Sequence, residues 1–146
     1  MIELQPHPLF GQIPPALRDV LLDFRWDLER LWALEIEPTE LDVDQLAWQL
    51  DLPFWRDGER FFAVTPREVA SDPERHREQY ERTLAADLSH PIHVLQRTDR
   101  LTILDGVHRL LKAQLQGART ITAKVVSPDQ LSEIVTPPAG EGTRPR

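Results

Sequence analysis

IHVLQRTDRLTILDGVHRLLKAQLQGARTITAKVV, residues Ile92–Val126, carries the densest structural signals in the chain. It reads as strand, turn, strand, tight turn, amphipathic helix and final strand. Leu101, Ile103 and Leu104 form an apolar run that breaks at Asp105-Gly106, a pair suited to backbone conformations that most residues avoid. Val107, Leu110, Leu111 and Leu115 then recur at helical spacing, which predicts a helix starting at or just after Gly106 and stopped by Gly117. A strand from Thr120 to Val126 closes the sheet. The free amides and positive dipole end of such a helix suit an anion.

The run Leu104-Asp105-Gly106-Val107-His108-Arg109-Leu110, followed by Lys112-Ala113, Gly117 and extended Ile121 to Val126, resembles the glycine-x-[acid or His]-arginine segment of the ParB/sulfiredoxin superfamily. His90-Pro91-Ile92-His93-Val94 is similar to the Gln-Pro-Ile-x-Val passage by which ParB-like domains approach that segment. The resemblance implies an α+β fold, a ParB/sulfiredoxin-like mixed sheet with packed helices, in which the segment holds nucleotide phosphates. Carried over residue by residue, it places Gly106, Val107, His108 and Arg109 at the phosphates and Trp55 beside them as a ring-stacking platform. Arg67, after Thr65-Pro66, resembles an arginine that follows an asparagine/proline-rich stretch in ParB proteins. Asp105 before the glycine and His108 in place of an acid are closer to kinase-like and reductase-like relatives. There Asp105 would hold a magnesium ion or orient an acceptor, and His108 and Arg109 would neutralise developing charge, which makes Asp105 and His108 the catalytic candidates. Spacing alone allows another reading: Asp105 caps the helix, Arg109 pairs with a surface carboxylate and His108 fills space.

Composition narrows the chemistry. The chain has 146 residues, enough for a single core with modest additions, and no cysteine, which excludes disulfides, thiolate metal sites and a thiol nucleophile. Sulfiredoxins depend on a cysteine where Val107 stands, so that reaction has no nucleophile here. Residues 1–60 hold 13 acidic and 5 basic side chains, against 11 and 12 in residues 61–146. A net charge of −7 argues against broad, sequence-independent DNA binding, which draws on basic surface to displace counterions. No signal-peptide pattern or membrane-length apolar run occurs, so a cytoplasmic location without membrane contact is expected.

Taken in order, residues 1–45 are expected to form an arm, an amphipathic helix and an acidic connector. The helix would start at Pro14-Pro15 and run to about Glu35, burying Leu17, Val20, Leu21, Phe24, Leu28 and Leu31 and offering Trp26 and Trp32 to the core, a second copy or a protein partner. A ParB/sulfiredoxin-like domain would span 46–136. Leu46, Trp48, Leu50 and Leu52 alternate with polar neighbours, which predicts a first strand, and Phe61 to Val64 a second. Ser71-Asp72-Pro73-Glu74 reads as a capping box opening a helix whose apolar stripe is Tyr80, Leu84 and Leu88, with Arg75, Arg77 and Arg82 facing water. His93 alternates with core residues and is expected to face out, and the three histidines 90, 93 and 108 lack the spacing of a structural metal site. Residues 137–146 are expected to be a flexible tail, with no helix-turn-helix module after the domain.

The expectation is a nucleotide- or phosphate-binding module acting as a switch or regulator, with a nucleoside triphosphate and magnesium as ligand. The alternative is an enzyme using that nucleotide, a small-molecule kinase or a hydrolase. A nuclease ranks third, because it needs basic surface and a metal-binding carboxylate cluster.

Overall fold

The computed structural model describes residues 6–137. In chain order the elements are α1 (Leu28–Trp32), β1 (Thr39–Asp42), α2 (Val43–Leu46), β2 (Trp55–Asp57), β3 (Arg60–Val64), α3 (Pro66–Ser71) and α4 (Arg77–Ala85). They continue with β4 (Ile92–Gln96), β5 (Leu101–Asp105), α5 (Val107–Leu115) and β6 (Thr120–Val126). The fold is α+β. A mixed four-stranded sheet runs β1-β6-β4-β5, with β4 antiparallel to β5, parallel to β6, and β6 antiparallel to β1. β2 and β3 form a separate antiparallel hairpin.

The Ile92–Val126 stretch folds as its sequence predicts. Arg97 N donates to Arg100 O at 2.8 Å and closes the β4–β5 turn. Gly106 (φ 120°) is the N-cap of α5, and the chain leaves the helix through Gly117 (φ 71°). Gly117 N and Ala118 N donate to Gln114 O and Ala113 O, satisfying carbonyls the helix end would otherwise leave free. α5 buries Leu110, Leu111 and Ala113 on one face of the sheet, against Ile92, Val94, Ile103, Ile121 and Ala123. Leu95 and Val126 look to the opposite face, where Leu22, Phe24, Leu31, Leu34, Ile134 and Val135 cover them. Period-two alternation thus gives β4 two dry faces, which is why its residues 92–95 are all buried.

Four expectations are corrected. Residues 15–35 do not form one helix: a 3-10 turn (Pro15–Leu17) is followed by extended chain and then the five-residue α1. Leu22, Phe24 and Trp26 alternate with Asp23, Arg25 and Asp27, a period-two pattern hidden inside the helical one. Sheet packing selects it, with isolated bridges Pro6–Phe24 and Trp26–Val135 holding the segment extended. Residues 46–52 are not a strand. Val43, Leu46 and Leu50 are buried at helical spacing in α2 and the following 3-10 helix (Ala47–Asp51), and the first strand is β1, inside the stretch read as an acidic connector. The capping box is Thr65–Glu68 on α3 rather than Ser71–Glu74: Glu68 N donates to Thr65 Oγ1 at 3.0 Å and Thr65 N to Glu68 Oε1 at 2.9 Å. α4 therefore begins later, at Arg77, and Leu84 of the expected stripe is 51% exposed while Thr83 is buried.

His93 is the fourth correction. It is 4% exposed, with neither ring nitrogen hydrogen-bonded, because the face it shares with Leu95 is covered rather than solvated. Gln49, fully buried, does the opposite work at the sheet edge: its amide accepts from Ile103 N at 2.7 Å and donates to Leu101 O, pairing the outer edge of β5. Residues 1–5 of the expected arm and 138–146 of the expected tail lie outside the described residues.

Candidate functional site

A cleft of ≈ 970 Å³ lies between the β2–β3 hairpin and the chain around the start of α4. The hairpin contributes Trp55, Arg56, Asp57, Phe61 and Phe62, the α4 side Arg75, His76, Arg77, Glu78, Gln79 and Arg82, and α5 only His108. Phe62 has φ 52°, a left-handed conformation costing an L residue roughly 1–2 kcal/mol. A regular strand sends neighbouring side chains to opposite faces. With its backbone turned at Phe62, β3 lines the cleft with both consecutive phenylalanine rings.

His108 and Trp55, far apart in sequence and both expected at the site, meet. Their rings stack with centroids 4.4 Å apart and planes inclined by 17°. Trp55 is only 8% exposed, so the partner its ring has is His108. The imidazole Nε2 lies 2.7 Å from Gln79 Oε1; that oxygen only accepts, so Nε2 carries the hydrogen. Burial, then the positive charges of Arg82 and Arg109, lower the His108 pKa to about 4. The ring is neutral at pH 7.

The other turn residues are engaged inward. Arg109 donates to Pro91 O at 2.6 Å and to Asp105 Oδ2 at 3.3 Å, and its side chain is 19% exposed. Asp105 Oδ2 also accepts from Trp32 Nε1 at 3.0 Å. This carboxylate ties α5, β5 and α1 together, and no group of three potential metal-ligating side chains occurs among the described residues. Lys112 is used the same way, donating to Leu84 O and Ala86 O at the end of α4, where a cation suits the helix dipole. Gly106 is needed for packing: a Cβ there would sit 2.4 Å from Ile92 Cγ2, so the space it vacates is filled by β4. Arg67 pairs with Asp51 at 2.8 Å and donates to Ala47 O, away from the cleft lining.

The cleft's charge comes instead from residues read as a solvated face. Arg75, Arg77 and Arg82 are exposed at its wall, and none forms an ion pair among the described residues. Helical spacing would pair Arg77 with Glu81 and Glu78 with Arg82, yet neither pair forms. The sequence signal that could have found them is the density of arginine at 75, 77 and 82 in a chain with more acid than base.

No family model matches the chain, and no curated protein matches it. Among solved structures it is similar to a sulfiredoxin from Arabidopsis thaliana, 19% identical, over 66% of this chain and 93% of that one, with a TM-score of 0.36. That similarity is too distant to carry a function across. No described helix is long and apolar enough to cross a membrane.

Proposed function

We propose that this domain is a binding or regulatory module for a phosphorylated small molecule, with a nucleoside phosphate as the expected class, held in the cleft between the β2–β3 hairpin and α4. The observation that carries the proposal is the wall of three arginines, Arg75, Arg77 and Arg82, that form no ion pair among the described residues. Unpaired guanidiniums in one concavity focus positive potential, and their planar donor forks match phosphate oxygens two at a time. Phosphate binds against these arginines, with His108 as a neutral wall stacked on Trp55. A protein-held magnesium does not fit Asp105, whose carboxylate oxygen already serves Trp32 and Arg109. Magnesium would arrive with the polyphosphate.

The test is calorimetric titration of ATP, CTP, GTP and ADP with magnesium into wild type, Arg82→Ala and Arg109→Ala, with phosphate release followed on the same samples. The expected result is saturable binding, weakened about tenfold or more by Arg82→Ala, since a charged hydrogen bond contributes about 1.5–3 kcal/mol. Arg109→Ala keeps that affinity in its folded fraction. Binding that vanishes in Arg109→Ala but survives in Arg82→Ala would return the site to the glycine turn, and no binding to wild type at millimolar ligand would end the proposal. Steady phosphate release would make the protein a hydrolase rather than a module.

A further inference from the structure

Trp55 looks in sequence like the residue that receives a ligand's ring, but its stacking partner is His108 and little of it reaches solvent. Phe61 is 38% exposed, lines the same cleft, and reaches it through the turned backbone of its neighbour Phe62. The Arg56 guanidinium lies over its ring, 5.0 Å from the centroid, held there by Arg56 Nε donating to Gly58 O at 3.0 Å. A guanidinium is a flat, delocalised group, and the face that accepts it has the shape and electrostatics to accept a flat heterocycle. The pair is exposed, so exchanging one planar group for another uncovers no core.

We infer that Phe61 is the specificity-determining residue of the cleft: a ligand's aromatic ring stacks on Phe61 in place of the Arg56 guanidinium, which is freed to join the arginines that face the phosphates. This rests on the reading of the cleft as a phosphate site, and it adds that the ligand carries a flat ring. Phosphate alone satisfies Arg75, Arg77 and Arg82 but leaves Phe61 and Arg56 as they are. A nucleoside phosphate engages both walls.

The experiment compares ADP, CDP, GDP and UDP with inorganic pyrophosphate, each titrated into wild type, Phe61→Leu, Phe61→Trp and Arg82→Ala. Wild type is expected to bind at least one nucleotide about tenfold or more tightly than pyrophosphate, the scale of one base–aromatic stack. Phe61→Leu, which keeps apolar bulk and loses the π face, abolishes that preference and leaves pyrophosphate binding unchanged; Phe61→Trp retains it. Arg82→Ala weakens nucleotide and pyrophosphate alike. Nucleotide affinity unmoved by Phe61→Leu, or pyrophosphate weakened as much as nucleotide, overturns the role of Phe61 while the phosphate cleft stands. Failure of wild type to bind any of the five probes overturns the phosphate cleft as well.

Discussion

Replacing Gly106 with alanine separates a glycine kept for ligand approach from one kept for packing. Its φ of 120° lies where side chains are strained, at a cost of roughly 1–2 kcal/mol. The added Cβ would stand 2.4 Å from Ile92 Cγ2, 2.7 Å from Ile92 Cβ and 3.3 Å from Ile92 Cα. Ile92 is fully buried in the middle of the core and cannot swing aside, so overpacking adds about 1–3 kcal/mol. The sum is about 2–5 kcal/mol, a large share of the roughly 5–15 kcal/mol that holds a domain folded. Urea denaturation followed by circular dichroism should show a lower midpoint with an unchanged slope. Ile92→Ala removes Cγ2 and costs about 2–5 kcal/mol by its own cavity, but combined with Gly106→Ala it relieves part of the clash, so the pair should cost at least about 1 kcal/mol less than the sum. A loss below about 0.5 kcal/mol for Gly106→Ala, or strict additivity, would refute the packing argument. Abolished nucleotide binding at wild-type stability would assign the glycine to the ligand instead.

Acid should weaken the fold through His108, whose pKa falls from 6.5 to about 4 on folding. The unfolded chain takes up the proton first, so this stability is complete above pH 6.5 and is lost as pH falls from 6.5 towards about 4. The full difference corresponds to about 3 kcal/mol, and solvent screening of a half-buried ring reduces it to about 2 kcal/mol. Burial lowers the pKa of His93 in the same direction. Urea midpoints at several pH values, in wild type and His108→Gln, should show a shallower acid loss in the variant; parallel curves would contradict the assignment. Arg109→Ala should cost about 1–3 kcal/mol by leaving the Pro91 carbonyl without its guanidinium donor and Asp105 with Trp32 alone. Arg67→Ala should stay within about 1 kcal/mol, because its partner Asp51 is exposed. Thermal melts rank the two, and a reversed order would contradict the inward role of Arg109.

How much of this was readable in the chain follows from the range of the forces involved. The β4–β5–α5–β6 unit was legible because its signals are local: apolar alternation, a helical repeat, and Gly106 and Gly117 at its two turns. The N-terminal third was misread because Leu17 to Leu31 satisfies two periods at once, and only the covered face of β4 and β6 selects the extended one. His93 was misplaced for the same reason, since alternation identifies a face without saying whether another segment covers it.

The site divides along the same line. Trp55 and His108, both expected at one site from residue type, do stack although they are distant in sequence. Which groups remain for a ligand was decided by tertiary partners: Pro91 and Asp105 engage Arg109, Ile92 fills the space beside Gly106, and among the described residues no carboxylate pairs with Arg75, Arg77 and Arg82. Local sequence sufficed for the order of elements from β4 to β6 and for the position of the glycine turn, because backbone preference and apolar period act over a few residues. Which cations and rings stay available among the described residues depends on folding, because a side chain's neighbours are brought to it from far along the chain.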